Sequence, residues 1–188
     1  MRWQQLFADL QAQFEEESAA VERAESSSRT RAEVGAVRLA DRLRGAIGGS
    51  LVLQCAGVGQ VAGRLVDVGA DWLLLEDDVG REVLCAMSSV RAVAGLGRRT
   101  AAPDEGGAVA GSWDLRRALR ALARDRAAVQ IVLDDGVVVT GTVDRVGADY
   151  LELAEHAADT PRRVEAVQGV RAVVISAVAV VRTLSPGI

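Results

Sequence analysis

Lysine is missing from this sequence: all 22 basic residues are arginine, set against 26 Asp and Glu for a net charge of −4. With Ala, Gly and Val abundant, this reads as a coding bias more than a design for guanidinium chemistry. An acidic chain has no overall attraction to nucleic acid, although a local basic face is still allowed. Aromatics make up only 3%, so the core must be built from Val, Leu, Ala and Ile, and base-stacking platforms are scarce. Two cysteines, Cys55 and Cys85, are too few for a secreted disulfide scaffold and have no Cys/His cluster with which to bind zinc. They are expected as buried, reduced thiols in a cytoplasmic protein. The single histidine, His156, is expected as a solvated loop residue, because a catalytic or metal site needs several converging groups. No phosphate-binding glycine loop leads into a lysine. The longest apolar run, residues 172–181, is about half a membrane span and is interrupted by Ser176. No apolar signal segment opens the sequence. A soluble, non-enzymatic protein is expected, with no catalytic residues, metal, cofactor, small-molecule substrate or membrane partner.

What is present is an internal repeat. Val68-Gly69-Ala70-Asp71-Trp72-Leu73-Leu74-Leu75 returns 78 residues later as Val146-Gly147-Ala148-Asp149-Tyr150-Leu151-Glu152-Leu153, and Gly63 returns as Gly141. A period this long is a domain duplication, not a solenoid unit. The boundaries read as an N-terminal amphipathic helix over 1–28, a first repeat over 34–95, a linker over 96–112 and a second repeat over 113–184. Asp71 and Asp149 precede a strand in a Gly-Ala-Asp turn, where Asp is expected to bond local backbone N–H groups.

In the N-terminal segment Trp3, Leu6, Phe7, Leu10 and Phe14 recur at helical spacing along one stripe. So concentrated an apolar face needs a partner surface, so these five are candidate protein-interaction residues. The first repeat is expected to open with a helix over 34–47, with Ala36, Leu39, Ala40, Leu43 and Ile47 on its apolar face. Strands are expected at 51–55, 60–68, 72–76, 82–86 and 90–94. The second repeat reads as a helix over 113–125 followed by strands at 129–133, 137–144, 150–154, 163–166 and 170–181, the last long and Val-rich. Asp134-Asp135-Gly136 is a hairpin turn signal. A helix and five short antiparallel strands with a glycine in the second strand describe a small barrel. The expected fold is mainly β with helices: two tandem five-stranded small barrels, each preceded by a helix.

The run from Val129 to Val143, with its acidic turn and Gly141, resembles the Sm-like family, including its Hfq branch. The likeness covers most of 113–175 and, more loosely, 34–95; many SH3-like barrels share the pattern. The resemblance implies ring assembly and binding of single-stranded RNA by pore loops. The RNA-contact motifs are not matched: Val164-Glu165-Ala166-Val167 stands where Hfq has Tyr-Lys-His, the late Arg-Gly signature is missing, and Leu151 and Glu152 lie where a base-contacting Asn would be.

One basic patch stands out. On the second-repeat helix Leu115, Ala118, Leu119 and Leu122 share one face, while Arg116, Arg117, Arg120 and Arg124 span about 100° of the opposite one. Residues 113–126 carry five arginines against two aspartates. Such a face could follow a phosphate backbone, or lie solvated, or meet the acidic segment 1–33. The leading expectation is a cytoplasmic regulatory or adaptor protein that self-associates, as a homo-oligomer or with a protein partner, through barrel strand edges and the N-terminal helix. The alternative is an Sm-like RNA-binding post-transcriptional regulator using the four arginines.

Overall fold

The computed structural model describes residues 34–101, 113–157 and 168–184, together with Gln11, Glu16 and Ala32. Trp3, Leu6, Phe7, Leu10, Phe14, most of the 96–112 linker and the strand expected at 163–166 lie outside the described residues. The chain divides into Met1–Arg38 and a compact unit, Leu39–Ile188, that contains the second repeat and all of the first but residues 34–38.

In the compact unit, a one-and-a-half-turn helix α1 (Leu39–Arg44) leads into β1 (Ser50–Cys55), β2 (Gly59–Val68), β3 (Trp72–Glu76), β4 (Glu82–Ala86) and β5 (Val90–Ala94). Helix α2 (Leu115–Asp125) then leads into β6 (Ala128–Leu133), β7 (Val138–Val146), β8 (Tyr150–Glu155), β9 (Gly169–Val174) and β10 (Val178–Thr183). All neighbours pair antiparallel, in one open sheet ordered β5-β1-β2-β3-β4-β10-β6-β7-β8-β9. Two closed barrels are therefore not what the ladder describes. Each half keeps the same five-strand order, with its first strand paired to its fifth, but β4 pairs with β10 of the other half and so joins the two into one sheet.

The repeat is reproduced in detail. The β2–β3 register slips between Leu65 and Asp67, and the β7–β8 register slips at the matching place, between Val143 and Arg145. A Cβ on Gly63 would stand 2.5 Å from the Glu76 carbonyl oxygen, and one on Gly141 would stand 2.0 Å from that of Ala154. Each glycine thus lets the second strand close onto the third. A 3₁₀ turn separates the fourth and fifth strands in both halves, at Met87–Ser89 and Ile175–Ala177. Met87 N–H donates to Asp71 O and Ile175 N–H to Asp149 O, both at 2.8 Å.

Three expectations need correction. The run 170–181 is two strands, β9 and β10, separated by a 3₁₀ turn at Ile175-Ser176-Ala177, which lack the Gly, Pro, Asn or Asp that announce most turns. The helix over 34–47 is broken at Val37 and Arg38, and of its apolar face only Leu43 is buried, while Leu39 and Ile47 are about half exposed. His156 is buried, not solvated. Its Nδ1–H donates to the Ala157 carbonyl oxygen at 2.9 Å, which leaves Nε2 to accept from the Thr142 hydroxyl, also at 2.9 Å. Both ring nitrogens are satisfied, and a structural role accounts for the residue.

Candidate interaction surface

The join between the halves uses side chains on both faces of the sheet. On β4 and β10, Leu84 and Ala86 with Val178 and Val181 face the core centred on the second half, shared with Leu115, Leu119, Ile131 and Leu153. Val83 and Cys85 with Val180 face the core centred on the first half, shared with Leu43, Leu53, Leu65 and Leu75. Strands buried on both faces lose polar alternation and read as continuous apolar runs, as Val83-Leu84-Cys85-Ala86 and Val178-Ala179-Val180-Val181 do. The register sets Cys85 opposite Val180, Leu84 opposite Val181 and Val83 opposite Arg182.

Polar groups bind the same join. Ser89 Oγ lies 2.8 Å from Ala86 O and 3.2 Å from Ala179 O, bridging the halves. The first Gly-Ala-Asp turn carries the start of α2. Ala70 N–H and the Trp72 indole N–H donate to Trp113 O at 3.0 and 2.8 Å, and Asp71 Oδ1 accepts from Leu115 N–H at 2.6 Å. Asp71 was expected to serve its own turn; instead it satisfies one of the N–H groups that an α-helix leaves unpaired in its first turn. Asp114 caps the same helix, accepting from Arg117 N–H at 2.8 Å. The β1–β2 turn meets the β6–β7 turn: Gly57, at φ 68°, packs so close to Leu133 O that a Cβ would lie 2.3 Å away. Only glycine fits that backbone and that approach.

Among the described residues, nothing covers the matching places at the far ends of the sheet. β5 and β9 are its two edge strands. Arg171 and Ala172 of β9 are exposed where Val83 and Leu84 of β4 are buried, and Val170 and Val174 are more than half exposed. Ala92 of β5 is exposed where Val180 of β10 is buried. Asp149 and Ala148 are exposed, Tyr150 is half-buried against Gly147, and the Asp149 carboxylate has no partner among the described residues.

The candidate arginines lie together on the outer face of α2, above buried Leu115 and Leu119. Arg117, Arg120 and Arg124 are exposed and Arg116 is half-buried. Three are engaged locally: Arg116 with Asp114 at 3.4 Å, Arg124 with Asp125 at 3.8 Å, and Arg117 stacked 4.1 Å from the Trp113 ring. A groove of about 270 Å³ runs beside the helix, lined by Trp72, Leu74, Leu84, Ala118, Leu122 and Val181.

Cys55 and Cys85 are free, buried thiols, and the Cys85 thiol hydrogen-bonds the Cys55 sulfur. Accepting that bond draws Cys55 down to about 7. Cys85 is pushed up, first by giving that bond and then by burial. Among the described residues no three His, Cys, Asp or Glu side chains come together as a metal site, and no helix is long and apolar enough to cross a membrane.

Apart from Asp71, the junction residues were not singled out from the sequence. Where the repeats differ, Trp72 against Tyr150 and Ser89 against Ala177, the first repeat carries the donor that reaches the other half. No protein-family model and no curated protein matches this chain.

Proposed function

We propose that this is a non-enzymatic cytoplasmic regulatory or adaptor protein that self-associates, with its strand edges as the working surface and the N-terminal amphipathic helix as a second contact. Each half is read as a five-stranded Sm-like or SH3-like small barrel. That reading is supported by the first-to-fifth strand pairing, the second-strand glycine and the 3₁₀ turn between the last two strands. The observation that carries self-association is the pair of uncovered edges, β5 and β9. Neither has a proline, and Val170 and Val174 on β9 are exposed apolar groups. An edge of that kind is a template for another strand, and proteins that stay monomeric blunt it. Light scattering on the full chain tests the reading. More than one chain per particle is expected, and a strictly monomeric protein at every concentration removes it.

A second reading has its own observation. Arg117, Arg120 and Arg124 are exposed on one helix face, which fits binding of an RNA backbone by a post-transcriptional regulator. Filter binding at about 50 mM salt, where phosphate contacts are strong, checks it. Wild type is expected to bind, and the variant with Arg116, Arg117, Arg120 and Arg124 all changed to Glu is expected not to. No binding by wild type removes this reading.

A further inference from the structure

We propose that Cys55 and Cys85 form a modification site, at which a hydroperoxide converts the two free thiols into an intramolecular disulfide. The site depends on neither self-association nor RNA binding. Cys55 is the last residue of β1, and Cys85 lies in β4. These strands are separated by β2 and β3 in the sheet, so no ladder of their own brings the cysteines together. The fifth strand does. It returns to pair with β1, and Ala56 N–H donates to Ser89 O at 2.9 Å. That bond holds the end of β1 against the 3₁₀ turn that follows β4. Both side chains enter the first-half core, where the Cys85 thiol hydrogen-bonds the Cys55 sulfur.

The fold does not ask for sulfur at these places. In the second half Leu133 and Val173 stand there, and both serve an apolar core. The surroundings also divide the roles. The Cys85 S–H bond brings Cys55 down to about 7, with the Ser89 hydroxyl and the Arg182 and Arg91 guanidinium groups acting the same way against burial. Cys55 is therefore largely available as thiolate near neutral pH, the form that attacks. Cys85, pushed up by giving that bond and by burial, stays a thiol beside it. Cys55 adjoins half-buried Ala56 and exposed Gly57 in the β1–β2 turn. A local opening of that turn admits a molecule as small as a peroxide.

The Cys55 thiolate attacks one oxygen of the hydroperoxide and the O–O bond breaks. The departing oxygen takes up the proton that Cys55 released and leaves as an alcohol, or as water from hydrogen peroxide. Cys55 is now a sulfenic acid, which condenses with a neighbouring thiol. The Cys85 sulfur attacks it, the S–S bond forms, the S–O bond breaks, and hydroxide leaves with the Cys85 proton as water. Two electrons pass from the sulfurs to the peroxide oxygens.

Hydrogen peroxide added to the reduced full-length protein tests this. After denaturation and alkylation, wild type is expected to have lost both thiols together, with a mass lower by two hydrogens. A digest is expected to contain a Cys55–Cys85 cross-linked peptide, and dithiothreitol to restore both thiols. Cys85→Val, which carries the residue found there in the second half, is expected to stop at a Cys55 sulfenic acid that dimedone labels. Cys55→Val is expected to leave Cys85 an unlabelled thiol. The wild-type measurement needs no variant and decides the matter if either variant folds poorly. Both thiols still open to alkylation after peroxide would overturn the proposal, as would a disulfide that joins two chains. Dimedone labelling of Cys85 in Cys55→Val, with none of Cys55 in Cys85→Val, would overturn it by reversing the roles.

Discussion

Val83, Leu84 and Cys85 in β4 hold the same places as Arg171, Ala172 and Val173 in β9, one strand pattern used in two settings. The β4 residues are all at most 8% exposed, whereas only Val173 of the second set is buried. The fifth strands differ likewise: Val178–Val181 of β10 is buried throughout, and β5 is exposed or half-exposed along its length. The duplicated half thus has one surface that makes a partner's core and one that receives it, and inside the chain each kind is used once. The lesson is that, among the described residues, a duplication leaves an unpaired copy of its own interface at each end of the sheet.

That comparison breaks first at the two strand glycines, where the largest effect is expected. A methyl group on Gly141 would sit 2.0 Å from Ala154 O, and one on Gly63 would sit 2.5 Å from Glu76 O. In both cases backbone must move, and overpacking of this sort costs up to about 3 kcal/mol. Gly141→Ala is expected at about 3 kcal/mol and Gly63→Ala at about 2 kcal/mol, read from the shift in urea midpoint. If one substitution were neutral, the two second strands would not share a bend, and the equivalence of the halves would fail there.

The first-half strands were legible because each is short, apolar on alternate or successive positions, and stopped by Gly, Asp or Ser; all five were anticipated within a residue at each end. The break between β9 and β10 was not, since Val-Val-Ile-Ser-Ala-Val keeps strand composition through the turn. What turns the chain there is the Ile175 N–H bond to Asp149 O, a contact 26 residues away that no local pattern encodes. Leu39 and Ile47 have helical spacing, but α1 is too short to bury them. The arginine face was legible from its 3.6-residue period, and it does lie outward on α2. The junction was not, because the donors of Trp72 and Ser89 gain their partners only when the two halves meet.

A smaller effect separates the two Gly-Ala-Asp turns. The Asp71 carboxylate takes the Leu115 N–H of α2, whereas the Asp149 carboxylate has no partner among the described residues. Losing a carboxylate that satisfies a helix N-terminus costs about 1 kcal/mol, so Asp71→Ala is expected to lower stability by that amount. Asp149→Ala is expected to stay within about 0.5 kcal/mol in the dissociated chain, as at an ordinary surface site. Equal losses would mean that the second turn is also engaged, and a loss at Asp149 that grows with protein concentration would place a neighbouring copy on it.

The smallest effect concerns the β3–β4 hairpin, which in the second half is ten residues longer. In the first half Asp77 organises the turn: its Oδ1 accepts from Val79 N–H at 3.1 Å and from Arg81 N–H at 2.8 Å, and Arg81 Nε–H donates to Oδ2 at 2.9 Å. The Arg81 backbone N–H leads these contacts in holding the carboxyl below its usual value, with the Arg81 side chain and the Val79 N–H adding to it. A carboxylate depressed in the folded state stabilises above its unfolded pKa, and that contribution is lost as pH falls through the lower, folded value. The hairpin is therefore expected to loosen below about pH 4, seen as faster amide exchange at Val79 and Arg81. Asp77→Asn keeps an acceptor but cannot be titrated, so it should flatten this dependence while leaving exchange in β7 and β8 unchanged. The same pH dependence in Asp77→Asn would mean that another group controls the turn.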